Sequence, residues 1–129
     1  MPFYLLDTNI LIDLAGPKLS HLFFDKALED KTLRLGTSIL CAAEFFTGAN
    51  AKESKFLKDW IETGELELVY LDSLEDAVEA GAIRKKYLLS MPDALILASC
   101  LRARAHLLTH DDVLLKKAAK LLSASDPIP

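Results

Sequence analysis

The chain has 129 residues, of which 51% are hydrophobic and 26% are charged. This composition predicts one compact domain over residues 1–129 and excludes a disordered chain. Its 19 acidic and 15 basic residues give a net charge of −4, which argues against simple binding to a phosphate backbone. The apolar N-terminal stretch is interrupted by Asp7 and Asp13, and no basic residue precedes it. Neither a signal peptide nor a membrane span is therefore expected.

Short apolar runs alternate with longer amphipathic segments along the chain. The run from Phe3 to Leu6 is wholly apolar and stops at Asp7, as expected for a strand buried on both faces of a parallel sheet. The predicted elements that follow are, in chain order, a helix over 9–15, a helix over 19–28, a strand over 33–36, a helix over 39–48, a helix ended by Gly64, a strand over 66–71, helices over 74–89 and 91–104, a strand over 105–108 and a helix over 112–122. This alternation predicts an α/β fold of three layers, with a central parallel sheet of four to five strands flanked by helices.

The two cysteines, Cys41 and Cys100, lie in apolar helical patterns with no CxxC spacing and no nearby histidine. This pattern predicts buried free thiols rather than a zinc site. Free thiols are typical of a reducing compartment, so the sequence predicts a cytoplasmic protein.

Acidic residues follow the first and the fourth predicted strands. Asp7 comes directly after Leu6, and Asp111 lies three residues after Leu108. Because ligands collect beyond the carboxyl ends of the strands in an open parallel sheet, both carboxylates are expected at the same edge. Either aspartate alone could instead be a helix cap, which is a common role of this residue.

Two further acids stand alone in apolar helices. Glu44 is the only charged residue in the segment 39–46, which predicts a buried carboxylate that needs a metal or a base distant in sequence. Asp93 is the only charged residue in 88–98, although a capping box with Ser90 would explain it without a function. One shared site explains the four acids more simply than four separate structural roles.

A set of four carboxylates predicts a particular class of metal. Oxygen ligands select Mg²⁺ or Mn²⁺ over Zn²⁺, and such an ion supports hydrolysis of a phosphate ester without a side-chain nucleophile. Setting these four acids aside leaves 15 acidic residues against 15 basic ones, so the net charge is compatible with RNA as the substrate. His110, beside Asp111, could contact the substrate, but a solvated turn histidine is the simpler interpretation.

Four segments resemble the motifs of PIN domains and, within that family, of the VapC-type toxins. They occur in the family's order and span nearly the whole chain: Leu5-Leu6-Asp7-Thr8-Asn9-Ile10-Leu11-Ile12, Ala43-Glu44-Phe45, Pro92-Asp93-Ala94-Leu95-Ile96-Leu97-Ala98 and Leu107-Leu108-Thr109-His110-Asp111. The resemblance implies a metal-dependent endoribonuclease that is the toxin of a type II toxin–antitoxin system. It also implies a homodimer and an antitoxin partner. The implied catalytic metal ligands are Asp7, Glu44, Asp93 and Asp111, and the implied supporting residues are Thr8, Asn9 and Thr109.

The chain departs from the family pattern in three places. Only 123–128 remain for the family's fifth strand, and Asp112 beside Asp111 offers a second choice for the fourth ligand. The segment before Asp93 lacks the glycine-containing loop often found there. Basic residues near helix ends are the candidates for a positive wall along the RNA groove, namely Arg84, Lys85, Lys86, Arg102 and Arg104.

Three other functions compete with this interpretation. A phosphohydrolase of the haloacid-dehalogenase type would need a second aspartate two residues after Asp7, but position 9 is Asn. A receiver-like domain would need a paired acid early in the chain and a lysine late in the sheet. A non-catalytic PIN-like module that only binds a partner would have no reason to keep an isolated acid such as Glu44.

Overall fold

The computed structural model describes residues 2–16 and 33–127. The elements, numbered in chain order, are β1 (Phe3–Leu6), α1 (Thr8–Ala15), β2 (Arg34–Ser38), α2 (Ile39–Gly48), α3 (Ala51–Glu62), β3 (Leu66–Val69), α4 (Leu74–Tyr87), α5 (Met91–Ala103), β4 (His106–Leu108), α6 (Asp112–Ala118) and β5 (Ala124–Ser125). The predicted helix over 19–28 lies outside the described residues. Within the described ranges, no helix has the length and apolar character needed to cross a membrane.

The five strands form one parallel sheet in the order β3-β2-β1-β4-β5. The predicted α/β class with a parallel sheet flanked by helices is thus confirmed. The fifth strand forms although it is only two residues long, because Ala124 and Ser125 pair with Leu107 and Leu108 of β4. The central position of β1 explains its apolar sequence, since neighbours cover both of its edges and Leu5 and Leu6 are fully buried.

Some predicted boundaries were wrong by a few residues. The strand predicted over 66–71 ends at Val69, and the helix predicted over 112–122 ends at Ala118. Helix α4 stops at Tyr87 because Leu88 adopts a left-handed conformation with φ of 53°, and Arg104 ends α5 in the same way. Neither residue is the glycine that usually marks such a helix end, so the sequence carried no signal for these stops.

Gly36 of β2 allows the first two strands to pack closely. A Cβ atom at this position would lie 2.6 Å from Cε1 of Phe3 and 3.0 Å from the carbonyl oxygen of Glu67. The neighbouring Arg34 lies over the Phe3 ring, 4.2 Å from its centroid, and forms an ion pair with Glu67. Because Gly36 has no side chain, there is room for the Phe3 ring beneath the Arg34 guanidinium.

Candidate active site

The site is built where β1 and β4 end side by side. Leu6 pairs with Leu108 in the sheet, and the backbone N–H of Asp7 donates to the Leu108 carbonyl oxygen at 3.0 Å. Each strand then turns into a helix, so Asp7 and Thr109 lie next to one another although 102 residues separate them. Both residues are buried, as the predicted strand-end position requires.

The Asp7 carboxylate accepts four hydrogen bonds. Its Oδ1 atom accepts from the backbone N–H of Thr8 at 2.7 Å and from the Cys41 thiol at 3.6 Å. Its Oδ2 atom accepts from the Thr109 hydroxyl at 2.7 Å and from the Asn9 amide at 3.5 Å. Asp7 is also the N-cap of α1, so the capping role and the site role fall on the same residue. Donors on both oxygens hold this carboxylate in one orientation.

The predicted supporting residues take different parts in this network. Asn9 donates to the Thr109 hydroxyl at 3.2 Å and accepts from the backbone N–H of His110 at 3.2 Å. The Thr109 hydroxyl also accepts from the backbone N–H of Asp111 at 3.1 Å. Thr8 contributes its backbone N–H, while its side-chain oxygen is buried and finds no hydrogen-bond partner among the described residues.

Glu44 occupies a different environment from the one predicted. It lies on the exposed face of α2 with Thr47 and Gly48, while Cys41 and Phe45 face the core. The expectation of a buried carboxylate was wrong because the apolar segment around Glu44 packs along one side only. No ion pair of Glu44 with a base is found in the described ranges, so the alternative structural role has no support there.

Electrostatic effects nevertheless place Glu44 beside the other acids. Partial desolvation raises the pKa of Glu44, and the negative charges of Asp7 and Asp93 raise it further. Burial likewise raises the pKa of Asp93; the charges of Asp111 and Asp7 add to this rise. Each of these carboxylates thus responds to the charge of at least one of the others, which is the behaviour of a shared acidic site.

The capping of α5 leaves the Asp93 carboxylate near these acids. The Ser90 hydroxyl accepts from the backbone N–H of Asp93 at 3.3 Å, as the predicted capping box requires. In the capping box at the start of α4, the Asp76 carboxylate also accepts from the backbone N–H of Ser73. The corresponding bond, from the backbone N–H of Ser90 to the Asp93 carboxylate, is not part of the α5 cap. Only half of the predicted box forms at Ser90, although the Ser90 side chain also interacts with the Asp93 carboxylate and lowers its pKa against the larger effect of burial.

Asp111, rather than Asp112, faces the other acids. Its Oδ1 atom caps α6 by accepting from the backbone N–H groups of Val113 and Leu114 at 3.0 and 3.1 Å. Asp111 contributes to the raised pKa of Asp93, and its backbone N–H donates to the Thr109 hydroxyl that holds Asp7. The structure therefore favours Asp111 as the fourth acid.

The donor chemistry of the site fits a hard divalent cation, since every acid in it offers carboxylate oxygens. The buried Thr8 hydroxyl lies next to Asp7 and makes no hydrogen bond of normal length within the described residues, although it is close enough to the Cys41 thiol to lower that thiol's pKa. As the side chains stand, no three or more His, Cys, Asp or Glu residues of the described chain are arranged to hold a metal ion. The acids thus share a neighbourhood without forming an assembled coordination shell.

Two residues of the site region have roles that the sequence did not predict. The Cys41 thiol contacts Asp7, and burial together with the Asp7 charge raises its pKa to about 12. His110, expected as a solvated turn residue, places Nε2 2.6 Å from Asp13 and Nδ1 2.7 Å from Asp126. Burial lowers the pKa of His110, but the hydrogen bonds with both carboxylates outweigh this effect and leave the pKa raised.

The predicted positive wall divides into two groups. Arg84, Lys85 and Lys86 are exposed at the end of α4, and the first two line a cavity of about 530 Å³ beside the start of α5. Arg102 forms ion pairs with Asp72 and Asp76. Arg102 and Arg104 also lie at the opposite end of α5 from Asp93, and a helix rises about 1.5 Å per residue. Of these residues, Arg84 and Lys85 therefore lie nearer than Arg102 and Arg104 to the start of α5, which carries Asp93.

Comparisons with known proteins agree with this fold. Residues 4–121 match the PIN domain family. No curated protein sequence matches the chain at a significant level.

Several solved structures are similar over nearly their whole length. The VapBC2 structure from Rickettsia felis, bound to a DNA fragment from its promoter, has 21% identity and a TM-score of 0.74, covering 96% of this chain and 98% of that one. A toxin–antitoxin complex from Klebsiella pneumoniae has 28% identity and a TM-score of 0.68, covering 96% and 97%. VapBC-1 from nontypeable Haemophilus influenzae has 21% identity and a TM-score of 0.72, covering 98% and 99%. With its four motif segments and its parallel sheet, the chain belongs to the PIN domain family.

Proposed function

We propose that this protein is a divalent-metal-dependent endoribonuclease that hydrolyses RNA phosphodiester bonds, and that it is the toxin of a type II toxin–antitoxin pair. The observation that carries the proposal is the position of Asp7 and Asp111 beyond two adjacent parallel strands of a PIN-domain sheet, where both bond to the Thr109 hydroxyl. The pKa values of Glu44 and Asp93 both respond to the charge of Asp7. The similarity to structures of toxin–antitoxin complexes supports the toxin role. Two buried free cysteines support a reducing, cytoplasmic location.

The metal in this proposal is Mg²⁺ or Mn²⁺, because carboxylate oxygens are the ligands that these ions prefer. A bound ion of this kind supplies an activated water and stabilises the charge on the phosphate. Burial raises the pKa of Glu44 and of Asp93, and repulsion from the neighbouring acids raises both further. A cation bound among these acids would relieve that repulsion. The residues that would hold the ion are Asp7, Glu44, Asp93 and Asp111.

The surrounding side chains keep one of these ligands fixed. Thr109 and Asn9 hold Asp7 through its Oδ2 atom, while the backbone N–H of Thr8 holds Oδ1. Such outer hydrogen bonds orient ligating carboxylates and are worth about 10- to 100-fold in metal affinity or activity. Asp7 is therefore the preorganised ligand of the proposed site.

The partners in this proposal are RNA as the substrate, an antitoxin protein, and a second copy of the chain. Helix α4 supports the homodimer, because its solvent side carries Leu74 and Val78, which are 77% and 65% exposed. These residues border a cavity of about 630 Å³ that also includes Tyr87, Leu101 and Leu121. A large apolar patch of this kind marks an interaction surface.

The charges along α4 favour a second copy as the occupant of that surface. Glu75 lies in the first turn of the helix and Lys86 in the last turn. They are eleven residues apart, close to three full turns, so they lie on the same side of the helix. A twofold axis perpendicular to α4 would make the two α4 helices antiparallel and place each Glu75 beside the partner's Lys86. The face is thus complementary to itself in charge.

A nuclease assay on purified protein tests the function. We expect cleavage of a labelled RNA in Mg²⁺ or Mn²⁺, none in excess chelator, and none by Asp7→Asn in either condition. The matched control is Asp112→Asn, which removes an equal charge beside Asp111 at an exposed position. Cleavage in excess chelator would contradict the metal requirement. Absence of cleavage under all conditions would leave the non-catalytic module as the function.

The family match removes the haloacid-dehalogenase alternative. The structure adds a reason, since Asn9 hydrogen-bonds Thr109 and the backbone of His110. An amide used in this way orients neighbouring groups and carries no titratable proton.

A further inference from the structure

His110 connects three segments that are distant in sequence. Its Nε2 atom lies 2.6 Å from Oδ2 of Asp13 in α1, and its Nδ1 atom lies 2.7 Å from Oδ1 of Asp126, which follows β5. The three side chains are only 23 to 30% exposed. Ionised carboxylates only accept hydrogen bonds, so each ring nitrogen serves as a donor to one of them. The imidazole thus forms a bridge between α1 and the C-terminal segment.

The same residue is joined to the proposed catalytic acids. The His110 backbone N–H donates to Oδ1 of Asn9, and the Asn9 amide donates to the Thr109 hydroxyl. That hydroxyl donates to Asp7 and accepts from the backbone N–H of Asp111. A continuous chain of hydrogen bonds therefore runs from Asp126, through His110, to two of the acids.

We propose that His110 is a positioning residue. Its contacts with Asp13 and Asp126 hold the loop over residues 109–111. The geometry of Asp7 and Asp111 therefore depends on the C-terminal segment. The inference rests on the proposed nuclease site. It assigns a function to Asp126, a residue beyond β5 that contacts His110 rather than one of the loop's own neighbours in sequence.

The shortness of β5 explains why such an anchor matters. Only two residues pair with β4, and the backbone bonds at this edge run from Leu107 to Ser123 and from Thr109 to Ser125. The second of these bonds holds Thr109 itself. Two side-chain contacts reinforce the edge, namely His106 with Ser125 at 2.7 Å and His110 with Asp126. Only the second contact reaches the loop that carries Asp111.

These two contacts supply a matched pair of variants. Asp126→Ala removes the contact to His110, while Ser125→Ala removes the contact to His106 and leaves the His110 bridge intact. Asp126→Asn is the conservative variant, because an amide oxygen still accepts from the imidazole. The measurements are kcat and KM for RNA cleavage, and the dissociation constant for Mn²⁺ alone by titration calorimetry.

We expect Asp126→Ala to lower kcat by about 10- to 100-fold and to weaken Mn²⁺ binding, the usual effect of losing an outer hydrogen bond to a metal site, with KM nearly unchanged. Asp126→Asn should recover most of this loss, and Ser125→Ala should keep both values within about twofold of wild type. The double variant Asp126→Ala, His110→Gln should lose no more than the worse single variant, because both changes break the same bridge.

Wild-type kcat and Mn²⁺ affinity in Asp126→Ala would overturn the inference, as would an equal loss in Ser125→Ala. If wild type binds Mn²⁺ but does not cleave RNA, the proposed function fails while the Mn²⁺ comparison still decides the role of His110. If wild type binds no Mn²⁺, both proposals fail.

Discussion

The hydroxyl of Thr109 donates to the Asp7 carboxylate across 2.7 Å and joins the ends of two neighbouring strands. The same oxygen accepts from the Asn9 amide and from the backbone N–H of Asp111. Its donor and both of its acceptor positions are therefore in use. Any change at Asp7 must be compatible with a neighbour that can accept no further hydrogen bond.

This relationship predicts that Asp7→Asn will lose stability as well as activity. The amide oxygen can still face the backbone N–H of Thr8, but the amide NH₂ then faces the Thr109 hydroxyl, which cannot accept it. A buried donor left unpaired costs about 1–3 kcal/mol. Urea unfolding in excess chelator measures this cost, and an unchanged free energy of unfolding would contradict it. Charge repulsion among the four acids, taken alone, predicts instead that Asp7→Asn raises the free energy of unfolding, because the variant removes one of the repelling charges.

Glu44→Gln is the contrasting variant. In the wild-type protein the Glu44 carboxylate is exposed, and its pKa is raised by partial desolvation and by the charges of Asp7 and Asp93. Neutralising it removes repulsion and leaves no buried group unpaired, so the free energy of unfolding should fall by no more than about 0.5 kcal/mol or should rise. RNA cleavage should nevertheless be lost. Full cleavage activity in this variant would remove Glu44 from the proposed site.

The basic residues at the end of α4 should contribute to RNA binding. Arg84 lines the cavity beside the start of α5, whereas Arg104 lies at the other end of that helix. Arg84→Ala should raise the KM for RNA and reduce the salt dependence of binding by about one unit of slope. Arg104→Ala removes the same charge and serves as the control, with no change expected. Equal effects of the two variants would indicate a general charge effect rather than a binding surface.

A charge exchange tests the proposed dimer. Glu75→Lys alone and Lys86→Glu alone each place like charges against the partner helix, so each should weaken association as measured by analytical ultracentrifugation. The double variant restores opposite charges and should recover the wild-type dissociation constant. These effects should shrink at high salt, because exposed ion pairs are screened. A double variant no better than either single variant would exclude the antiparallel arrangement.

Gly36→Ala should destabilise the sheet. The new methyl group would meet the Phe3 ring and the Glu67 carbonyl oxygen, and overpacking of this kind costs about 1–3 kcal/mol. Gly48→Ala is the control, because no atom lies within 4 Å of a Cβ atom at that helical position. That variant should be neutral or more stable by up to about 1 kcal/mol. Thermal unfolding of both proteins decides the matter, and equal melting temperatures would be inconsistent with the close packing.

Local sequence patterns were sufficient to predict most of the fold. The wholly apolar run Phe3–Leu6 and the serine caps identify strands and helix starts, because these signals depend on neighbouring residues alone. The strand Ala124–Ser125 could not be predicted, since two residues carry no periodicity and its stability comes from bonds to β4. The end of α4 at Leu88, which adopts a left-handed conformation, could not be predicted either, because no glycine marks it in the sequence.

The site was predictable in its acids but not in their surroundings. The positions of Asp7 and Asp111 followed from the apolar runs that precede them in the sequence, whereas the burial of Glu44 depended on which side of α2 packs against the core. The contacts of His110 join residues 97 and 16 positions away in sequence. Such pairings arise only when the sheet has formed, and no local spacing indicates them.

The two cysteines have a practical consequence for labelling the protein. Cys41 and Cys100 are buried, and burial raises the pKa of both thiols. Maleimide dyes react with accessible thiolates, so neither residue is a target in the folded chain. A single cysteine introduced at an exposed position, such as Lys58→Cys on α3, would take one fluorophore without removal of the native cysteines. Energy transfer between labelled copies could then report assembly in solution while the Cys41 thiol stays beside Asp7.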